Sequence, residues 1–274
     1  MAVADGFDVA AYLRRIGIAE APAVADLAAL TAIHSAHALA IPFENMDIQR
    51  GRAIALDLAA LQDKLVAQRR GGYCFEQNAL LAAALEHLGF DHRVTRLCGR
   101  VWLGKVTEGP PPRTHMTLAV EVDGTEYLVD AGFGCHQLIA PLRMEDGATA
   151  RQHAWEFELR RTDEVFKLRS RRPDGWTDLY TFTREPQHAI DFEVANHYTS
   201  THPRSRFVTT LTAQRVTPTE RHTLRGASYE RMTAETIERR MLGSRAELAG
   251  LLGEVFGLAL PDDVRLPAFA GAAG

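Results

Sequence analysis

The chain has few cysteines, no long apolar run and no recognisable export signal. Its 274 residues include only Cys74, Cys98 and Cys135, and an odd number of cysteines favours free thiols in a reducing compartment. No apolar run is long enough to span a bilayer, and the N-terminus lacks the charged and apolar regions of a secretion signal. The sequence therefore predicts a cytoplasmic protein without a membrane partner.

Basic and metal-binding patterns are also sparse. The formal net charge is −4, and no basic patch interleaved with aromatic residues indicates nucleic-acid binding. The cysteines do not have the spacing of zinc ligands, and His34 with His37 on one predicted helix favours a structural pair. We therefore expect neither nucleic acid nor metal as a partner, whereas the sequence leaves a homo-oligomer open.

Hydrophobic periodicity divides the chain into three parts. Residues 1–92 have apolar residues at helical spacing, residues 93–195 alternate as strands do, and residues 196–274 show both patterns. Within the last part, strands are expected at 207–216 and 221–224, and Ser244 with Glu247 predicts a helix start. The predicted fold class is α+β: an N-terminal helical bundle, a central antiparallel β-barrel-like domain and a C-terminal α/β lid.

The segment 70–78 contains a candidate nucleophile. Gly71 and Gly72 bend the chain just before Cys74, and apolar residues at helical spacing follow until Gly89. Cys74 should therefore lie at a helix N-terminus, where unpaired N–H groups and the helix dipole lower the pKa of a thiol. The alternative is a buried, unreactive cysteine beside a turn.

A predicted hairpin supplies a base and a carboxylate. Residues 115–122 and 125–130 alternate as strands, and Asp123-Gly124 between them is a strong hairpin signal. A two-residue turn places Thr117 opposite Asp130, which makes His115 a diagonal neighbour of Asp130 on the same face. The spacing thus predicts a His–Asp pair. The same pattern is also compatible with an exposed histidine in one strand and an unrelated aspartate that ends the other.

Five segments in order resemble the arylamine N-acetyltransferase family. They are Ile-Pro-Phe-Glu-Asn-Met-Asp at 41–47, Arg-Gly-Gly-Tyr-Cys-Phe-Glu-Gln-Asn at 70–78, Thr-His-Met-Thr-Leu at 114–118, Tyr-Leu-Val-Asp-Ala-Gly-Phe-Gly at 127–134 and Asn-His-Tyr-Thr-Ser-Thr-His-Pro-Arg-Ser-Arg-Phe at 196–207. The resemblance implies a Cys74–His115–Asp130 triad on a core like that of cysteine proteases and transglutaminases. It also implies acetyl transfer from acetyl-CoA to arylamines, arylhydrazines or N-hydroxyarylamines by a ping-pong mechanism.

The same resemblance implies residues for both substrates. Contacts to CoA are expected from the segment Gly132-Phe133-Gly134 and from Thr114 and Thr217, although prolines at 111 and 112 depart from the pattern because they cannot donate a backbone hydrogen bond. Walls for an aromatic acceptor are expected from Phe43, Tyr73, Phe133 and Phe207.

Other interpretations of the same residues remain open. A cysteine hydrolase or transglutaminase-like enzyme shares the Cys–His–Asp order, and an amide synthase of polyketide biosynthesis resembles the same family. A protein that only binds CoA or a partner is the non-enzymatic alternative. Independently, Glu44 and Arg70 are charged residues within apolar stretches, which predicts a partly buried salt bridge or two solvated charges.

Overall fold

The computed structural model describes residues 6–103 and 109–269. Helices dominate the chain up to residue 92, and three more follow the strands of the central part. Their bounds are α1 Val9–Ile16, α2 Leu27–Ala40, α3 Met46–Gln49, α4 Leu58–Leu61, α5 Cys74–Leu85, α6 Ala189–Thr201, α7 Arg206–Thr209 and α8 Arg245–Leu251. Wider π-helical turns extend α4 over Gln62–Ala67, α5 over Glu86–Phe90 and α8 over Leu252–Phe256.

Local signals in the sequence start and stop these helices. The carboxylate of Asp8 accepts the N–H of Ala11 at the start of α1, and Gly17 ends it with a positive φ of 82°. Ser244 caps α8 in the same way, through the N–H of Glu247. Ile41, before Pro42, is extended and ends α2.

Within residues 6–103 and 109–269, thirteen strands form two antiparallel sheets. The strands are β1 Phe43–Glu44, β2 Val94–Val101, β3 Arg113–Val122, β4 Thr125–Val129, β5 Leu142–Arg143, β6 Thr149–Gln152, β7 Trp155–Thr162, β8 Val165–Arg172, β9 Gly175–Phe182, β10 Thr212–Val216, β11 Arg221–Arg225, β12 Ser228–Met232 and β13 Ile237–Met241. The central sheet has eight strands in the order β5-β4-β3-β2-β9-β8-β7-β6, and the other has five in the order β1-β10-β11-β12-β13. The predicted α+β fold with a barrel-like antiparallel sheet is confirmed.

The hairpin of β3 and β4 has the predicted register. Val122 lies opposite Thr125 and Leu118 lies opposite Val129, so the two-residue turn is Asp123-Gly124. Continuing this register by one residue brings Thr117 opposite Asp130, which directly follows β4. His115 is therefore diagonal to Asp130, as predicted.

In the part of the chain that the structure describes, three hydrophobic cores hold the elements together. One joins α1, α2 and α5 to the inner face of β3, a second lies inside the eight-stranded sheet, and a third packs the five-stranded sheet on α8. Because β3 contributes Met116 and Leu118 to the core of α5, the hairpin is fixed against the helix that begins at Cys74. Burial of apolar surface thus determines the position of the hairpin relative to α5.

One predicted strand differs from the structure. The strand predicted from residue 207 begins only at Thr212, because Ser205 accepts the N–H of Phe207 at 3.3 Å and starts the one-turn helix α7. Helix α6 runs without a break across the predicted domain boundary between residues 195 and 196. The division into parts 1–92, 93–195 and 196–274 stays a prediction, and residues 1–5, 104–108 and 270–274 lie outside the described range.

Within the described residues, no helix is both long and apolar enough to cross a membrane.

Candidate active site

The predicted nucleophile is the first residue of α5. Cys74 is 4% exposed, and its Sγ lies 3.6 Å from the carbonyl oxygen of Thr114, to which the thiol donates. The preceding glycines are required by close approaches: a Cβ on Gly71 would lie 2.1 Å from the carbonyl oxygen of Pro42, and one on Gly72 would lie 2.7 Å from Glu76 Oε2. Any larger residue at either position would displace the turn that presents Cys74.

The hairpin forms the predicted His–Asp pair. His115 Nε2 lies 2.7 Å from Asp130 Oδ2, and both side chains are almost fully buried. Burial would raise the pKa of Asp130, but His115 and hydrogen bonds from Asn78 and Gly132 hold it below its usual range. Because the carboxylate can only accept, Nε2 carries a hydrogen and Nδ1 of the neutral ring can accept a proton.

Cys74 and His115 meet at the same cavity. The thiol contacts the backbone of the two residues that flank His115: its Sγ bonds the carbonyl of Thr114, and the N–H of Met116 lowers its pKa. Both side chains line a cavity of about 250 Å³. The structure therefore brings the three predicted residues of the triad together.

Burial, however, raises the pKa of the Cys74 thiol to about 12, despite the lowering by the N–H groups of Met116 and Phe75. This direction is opposite to the one expected for a thiol at a helix N-terminus, because the cost of desolvation outweighs the local dipoles. An isolated thiolate is therefore disfavoured here. A thiolate beside a protonated His115 is a neutral pair, so formation of the nucleophile requires proton transfer to the imidazole.

Asn78 fixes the three residues relative to one another, a role that the sequence did not reveal. One turn after Cys74 on α5, its Nδ2 donates to the carbonyl of Met116 at 2.6 Å and to Asp130 Oδ1 at 2.9 Å. Its Oδ1 accepts the N–H of Ala131 at 3.1 Å. The one signal for it was the i, i+4 spacing from Cys74, which places both residues on the same face of α5.

A buried ion-pair network supports the turn before Cys74. The predicted salt bridge between Glu44 and Arg70 is present, with an N–O distance of 2.7 Å. The network also includes Asp47, which binds Arg70 at 2.8 Å, and Lys64, which binds Glu76 at 2.6 Å. Glu76 in turn accepts the N–H of Tyr73 at 3.0 Å, so the charges anchor the first turn of α5.

Most of the predicted substrate residues line the cavity. Besides Cys74 and His115, these are Phe43, Thr114, Gly132, Phe133 and Phe207. The rings of Phe43 and Phe207 are 5.7 Å apart, and the ring of Phe133 stands edge-on to His115 at 4.8 Å. These aromatic walls lie next to the candidate nucleophile and suit a flat apolar ligand.

Three predicted contact residues, Tyr73, Gly134 and Thr217, do not line this cavity. Tyr73 is fully buried behind the wall, with its ring centroid 5.8 Å from that of Phe207 and its hydroxyl bonded to Asn196. The hydroxyl of Thr217 accepts the N–H of Glu220 within its own turn, at 2.8 Å. Both hydroxyl groups already have hydrogen-bond partners within the fold, which keeps these side chains in place away from the cavity.

The segment Gly132-Phe133-Gly134, which was predicted to contact CoA, makes most of its contacts within the protein. The N–H of Gly132 donates to Asp130 Oδ1 at 2.8 Å and so is not free for a phosphate. A Cβ on Gly132 would lie 2.8 Å from the Cα of Cys74, and one on Gly134 would lie 2.1 Å from Gln214 Oε1. Close packing against α5 and β10 accounts for both glycines.

The histidine pair on α2 has a structural role. His34 Nε2 accepts the backbone N–H of Asp130 at 3.3 Å, and His37 lies between the hydroxyl of Tyr12 and the amide of Gln77. Burial lowers the pKa of His34 to about 4, so the ring is neutral at neutral pH. Among residues 6–103 and 109–269, no group of three or more metal-ligating side chains comes together.

Comparisons with known proteins show which family the chain resembles. The model of the N-acetyltransferase family matches residues 26–265. The arylamine N-acetyltransferase of Mycolicibacterium smegmatis is 42% identical over 93% of this chain and 93% of its own, and that of Escherichia coli is 34% identical over 92% and 89%.

Solved structures of such enzymes superpose on more than nine tenths of the chain. The M. smegmatis enzyme has a TM-score of 0.88 at 40% identity, with 93% of both chains covered. The Mycobacterium marinum enzyme, solved in complex with CoA, has a TM-score of 0.86 at 37% identity and covers 94% of this chain and 95% of its own. By sequence and by fold, this chain belongs to the arylamine N-acetyltransferase family of acyltransferases.

Proposed function

We propose that the protein acetylates arylamines, arylhydrazines or N-hydroxyarylamines by a ping-pong mechanism, with acetyl-CoA as donor and an acetyl-Cys74 intermediate. The observation that carries the proposal is the contact of the Cys74 sulfur with the backbone on both sides of His115, whose other nitrogen is bonded to Asp130. This arrangement couples a nucleophile, a base and a group that orients the base.

In the first half-reaction, His115 accepts the thiol proton and Cys74 attacks the thioester carbonyl of acetyl-CoA. The tetrahedral intermediate then expels the CoA thiolate, which takes the proton from the imidazolium. One thioester replaces another, so this step is close to neutral in free energy. Asp130 keeps the tautomer of His115 and stabilises the imidazolium during the transfer.

In the second half-reaction, the neutral amine attacks the acetyl thioester. His115 removes a proton from the attacking nitrogen and returns one to the Cys74 sulfur as it leaves. The product is an amide, which is more stable than the thioester, and the enzyme regains its free thiol. A protonated amine has no lone pair on its nitrogen. Alkylamines, whose ammonium form has a pKa of about 10.4, are therefore poor acceptors at neutral pH, whereas arylamines are neutral.

Several finer assignments belong to the same proposal. The cavity walls Phe43, Phe133 and Phe207 would contact the acceptor ring, and Thr114, which also lines the cavity, would contact acetyl-CoA. The cytoplasmic location and the small-molecule partners stay predictions from the sequence, which leaves the oligomeric state open.

Initial-rate kinetics test the proposal. With acetyl-CoA and an arylamine both varied, a ping-pong mechanism predicts parallel lines in double-reciprocal plots, no turnover by Cys74→Ser, and very slow turnover of free lysine. Intersecting lines would instead indicate a ternary complex without an acetyl-enzyme. Faster acetylation of lysine than of an arylamine would contradict the acceptor class.

A further inference from the structure

A second cavity, a groove of about 1330 Å³, is lined by residues of α4, α5 and α6. Its lining shares no residue with that of the active-site cavity. Strand β3 separates the two, because His115 lines the active-site cavity and Met116 lines the groove, and successive residues of a strand point to opposite faces. The proposed mechanism uses no side chain that lines this groove.

The floor of the groove is apolar and narrow. Its larger apolar side chains include Ile54, Leu58, Leu61, Met116 and Phe192. Leu61, Met116 and Phe192 line the groove although they are only 2%, 2% and 3% exposed. Because water reaches the floor so little, an α-helix, which is about 10–12 Å wide with its side chains, would not reach it either. An extended hydrocarbon chain fits such a groove better than a folded partner does.

The polar side chains of α6 in the groove already have partners within the fold. The amide nitrogen of Asn196 donates to the carbonyl of Ile54 at 2.9 Å. The hydroxyl of Ser200 donates to the carbonyl of Asn196 at 2.8 Å, and that of Thr201 donates to the carbonyl of His197 at 2.6 Å. A ligand that lies along α6 therefore needs an apolar body, since a polar group there would lose its hydrogen bonds to water.

The rim of the groove is negatively charged. Asp57, Asp91 and Glu193 are exposed, and none of them forms a salt bridge within residues 6–103 and 109–269. The arginine in the described lining, Arg96, is already paired with Glu86 at 2.7 Å. Four exposed histidines also line the groove: His87, His92, His188 and His197. The active-site cavity has the opposite character, with three arginines and no carboxylate in its described lining.

We propose that this groove binds an elongated apolar molecule that ends in an ammonium group. The apolar chain would lie on the narrow floor, and the ammonium would stay in water at the rim, beside one of the three unpaired carboxylates. A fatty acid of the same length would bring a fourth carboxylate to this rim, so charge complementarity favours the cation. The inference does not depend on the proposed acetyl transfer.

Isothermal titration calorimetry of the full chain with decyltrimethylammonium tests the inference. The quaternary nitrogen of this probe has no lone pair, so the probe cannot serve as an acceptor of the acetyl group. Decyl sulfate has the same chain and the opposite charge. Both are titrated below the concentration at which they form micelles, at about pH 8, where histidine is usually neutral. We expect one cation to bind, at least about tenfold more tightly than the sulfate.

Removal of two rim charges should reduce this preference. In the double variant Asp57→Asn, Glu193→Gln, the affinity for the cation should fall by about three- to twentyfold, as expected for two exposed ion pairs. Asparagine keeps the cap that Asp57 provides for the N–H of Ala60, so the fold should be unaffected. The matched control is Glu235→Gln, an exposed glutamate outside the groove, which should leave both affinities unchanged.

A third variant fills the groove without changing its charge. Ala79 is a half-buried residue of α5 that lines the groove, and leucine there would occupy part of the space for the chain. In Ala79→Leu the affinity for the cation should fall by about tenfold, whereas thermal unfolding should show an intact fold. If this variant does not fold, the charge variants still decide the matter.

Several outcomes overturn the inference. Equal affinity for the two amphiphiles removes the selection by charge, and an unchanged affinity for the cation in the double variant places the probe elsewhere. Binding of many molecules without saturation shows only the action of a detergent. A dimer that the probe dissociates in sedimentation experiments assigns the groove to a second copy of the chain. These results are independent of the proposed function, because a protein that forms no acetyl-Cys74 should still bind the cation.

Discussion

At the scale of single residues, the proposed chemistry depends on one proton shared by Cys74 and His115. Burial raises the pKa of the thiol to about 12, so the helix terminus alone leaves Cys74 protonated across the neutral range. The raised value means that the thiolate is lost as pH falls below it, unless a base takes the proton. His115, held by Asp130 at 2.7 Å, is that base in the proposed mechanism.

This dependence predicts the pH profile of His115→Gln. Alkylation of Cys74 by iodoacetamide at pH 7 should be slower than in the wild-type protein by about 10²-fold or more, and its rate should rise only at strongly alkaline pH. The profile is measured by peptide mass spectrometry, with Cys98→Ala as the matched control, since Cys98 is also buried but lies on β2. An unchanged profile would assign thiol activation to the helix terminus.

The sequence allowed the His–Asp pair to be predicted but not the role of Asn78. A two-residue turn fixes the register of β3 and β4, and register alone makes His115 a diagonal neighbour of Asp130. The contacts of Asn78 with Met116, Asp130 and Ala131 depend on how α5 packs on the hairpin. Packing of this kind has no short-range signature in the sequence.

At the scale of elements, the loop after β4 and the first turn of α5 are fitted to each other. Gly132 lies between them, so that a Cβ there would be 2.8 Å from the Cα of Cys74 and 2.5 Å from Asn78 Nδ2. These distances are too short for either neighbour to remain in place. The loop conformation that positions Asp130 therefore requires glycine at residue 132.

Gly132→Ala should therefore impair both stability and acetyl transfer. We expect a loss of about 1–3 kcal/mol in the free energy of unfolding, the usual cost of overpacking, measured by urea denaturation. Gly250→Ala is the control: Gly250 lies in α8 with nothing within 4 Å of its added Cβ, so alanine should be neutral or stabilise by up to about 1 kcal/mol. Equal stability of both variants would show that the loop can move away from α5 at little cost.

Local capping also explains why the strand predicted over residues 207–216 begins late, at Thr212. The alternation from Phe207 onward favoured a strand, but Ser205 competes for the backbone by accepting the N–H of Phe207 and the chain forms α7 first. The result places Phe207 and Arg206 on a short helix at the cavity rather than on a strand of the five-stranded sheet. The capping hydrogen bond of Ser205 here outweighed the alternating pattern that favours a strand.

At the scale of the whole molecule, the cavity is built from segments that are distant in sequence. Phe43 belongs to β1, which pairs with β10 through Gln214, and the side chains of Asn45 and Gln49 hold the carbonyl of Phe207 at 2.7 and 2.6 Å. These contacts join the N-terminal and C-terminal parts of the chain beside the cavity that Cys74 lines. Periodicity and motifs predicted the residues, but not this pairing, because strand β1 has only two residues and no pattern of its own.

The central claim is that Cys74 carries the acetyl group between the two substrates. The most direct test is the mass of the intact protein after incubation with acetyl-CoA alone, followed by peptide mapping and by addition of an arylamine. The account predicts one acetyl group, located on Cys74, absent in Cys74→Ser and discharged by the arylamine with formation of the amide. An unmodified protein, an acetyl group on another residue, or an acetyl-Cys74 that water removes as fast as the arylamine does would contradict it.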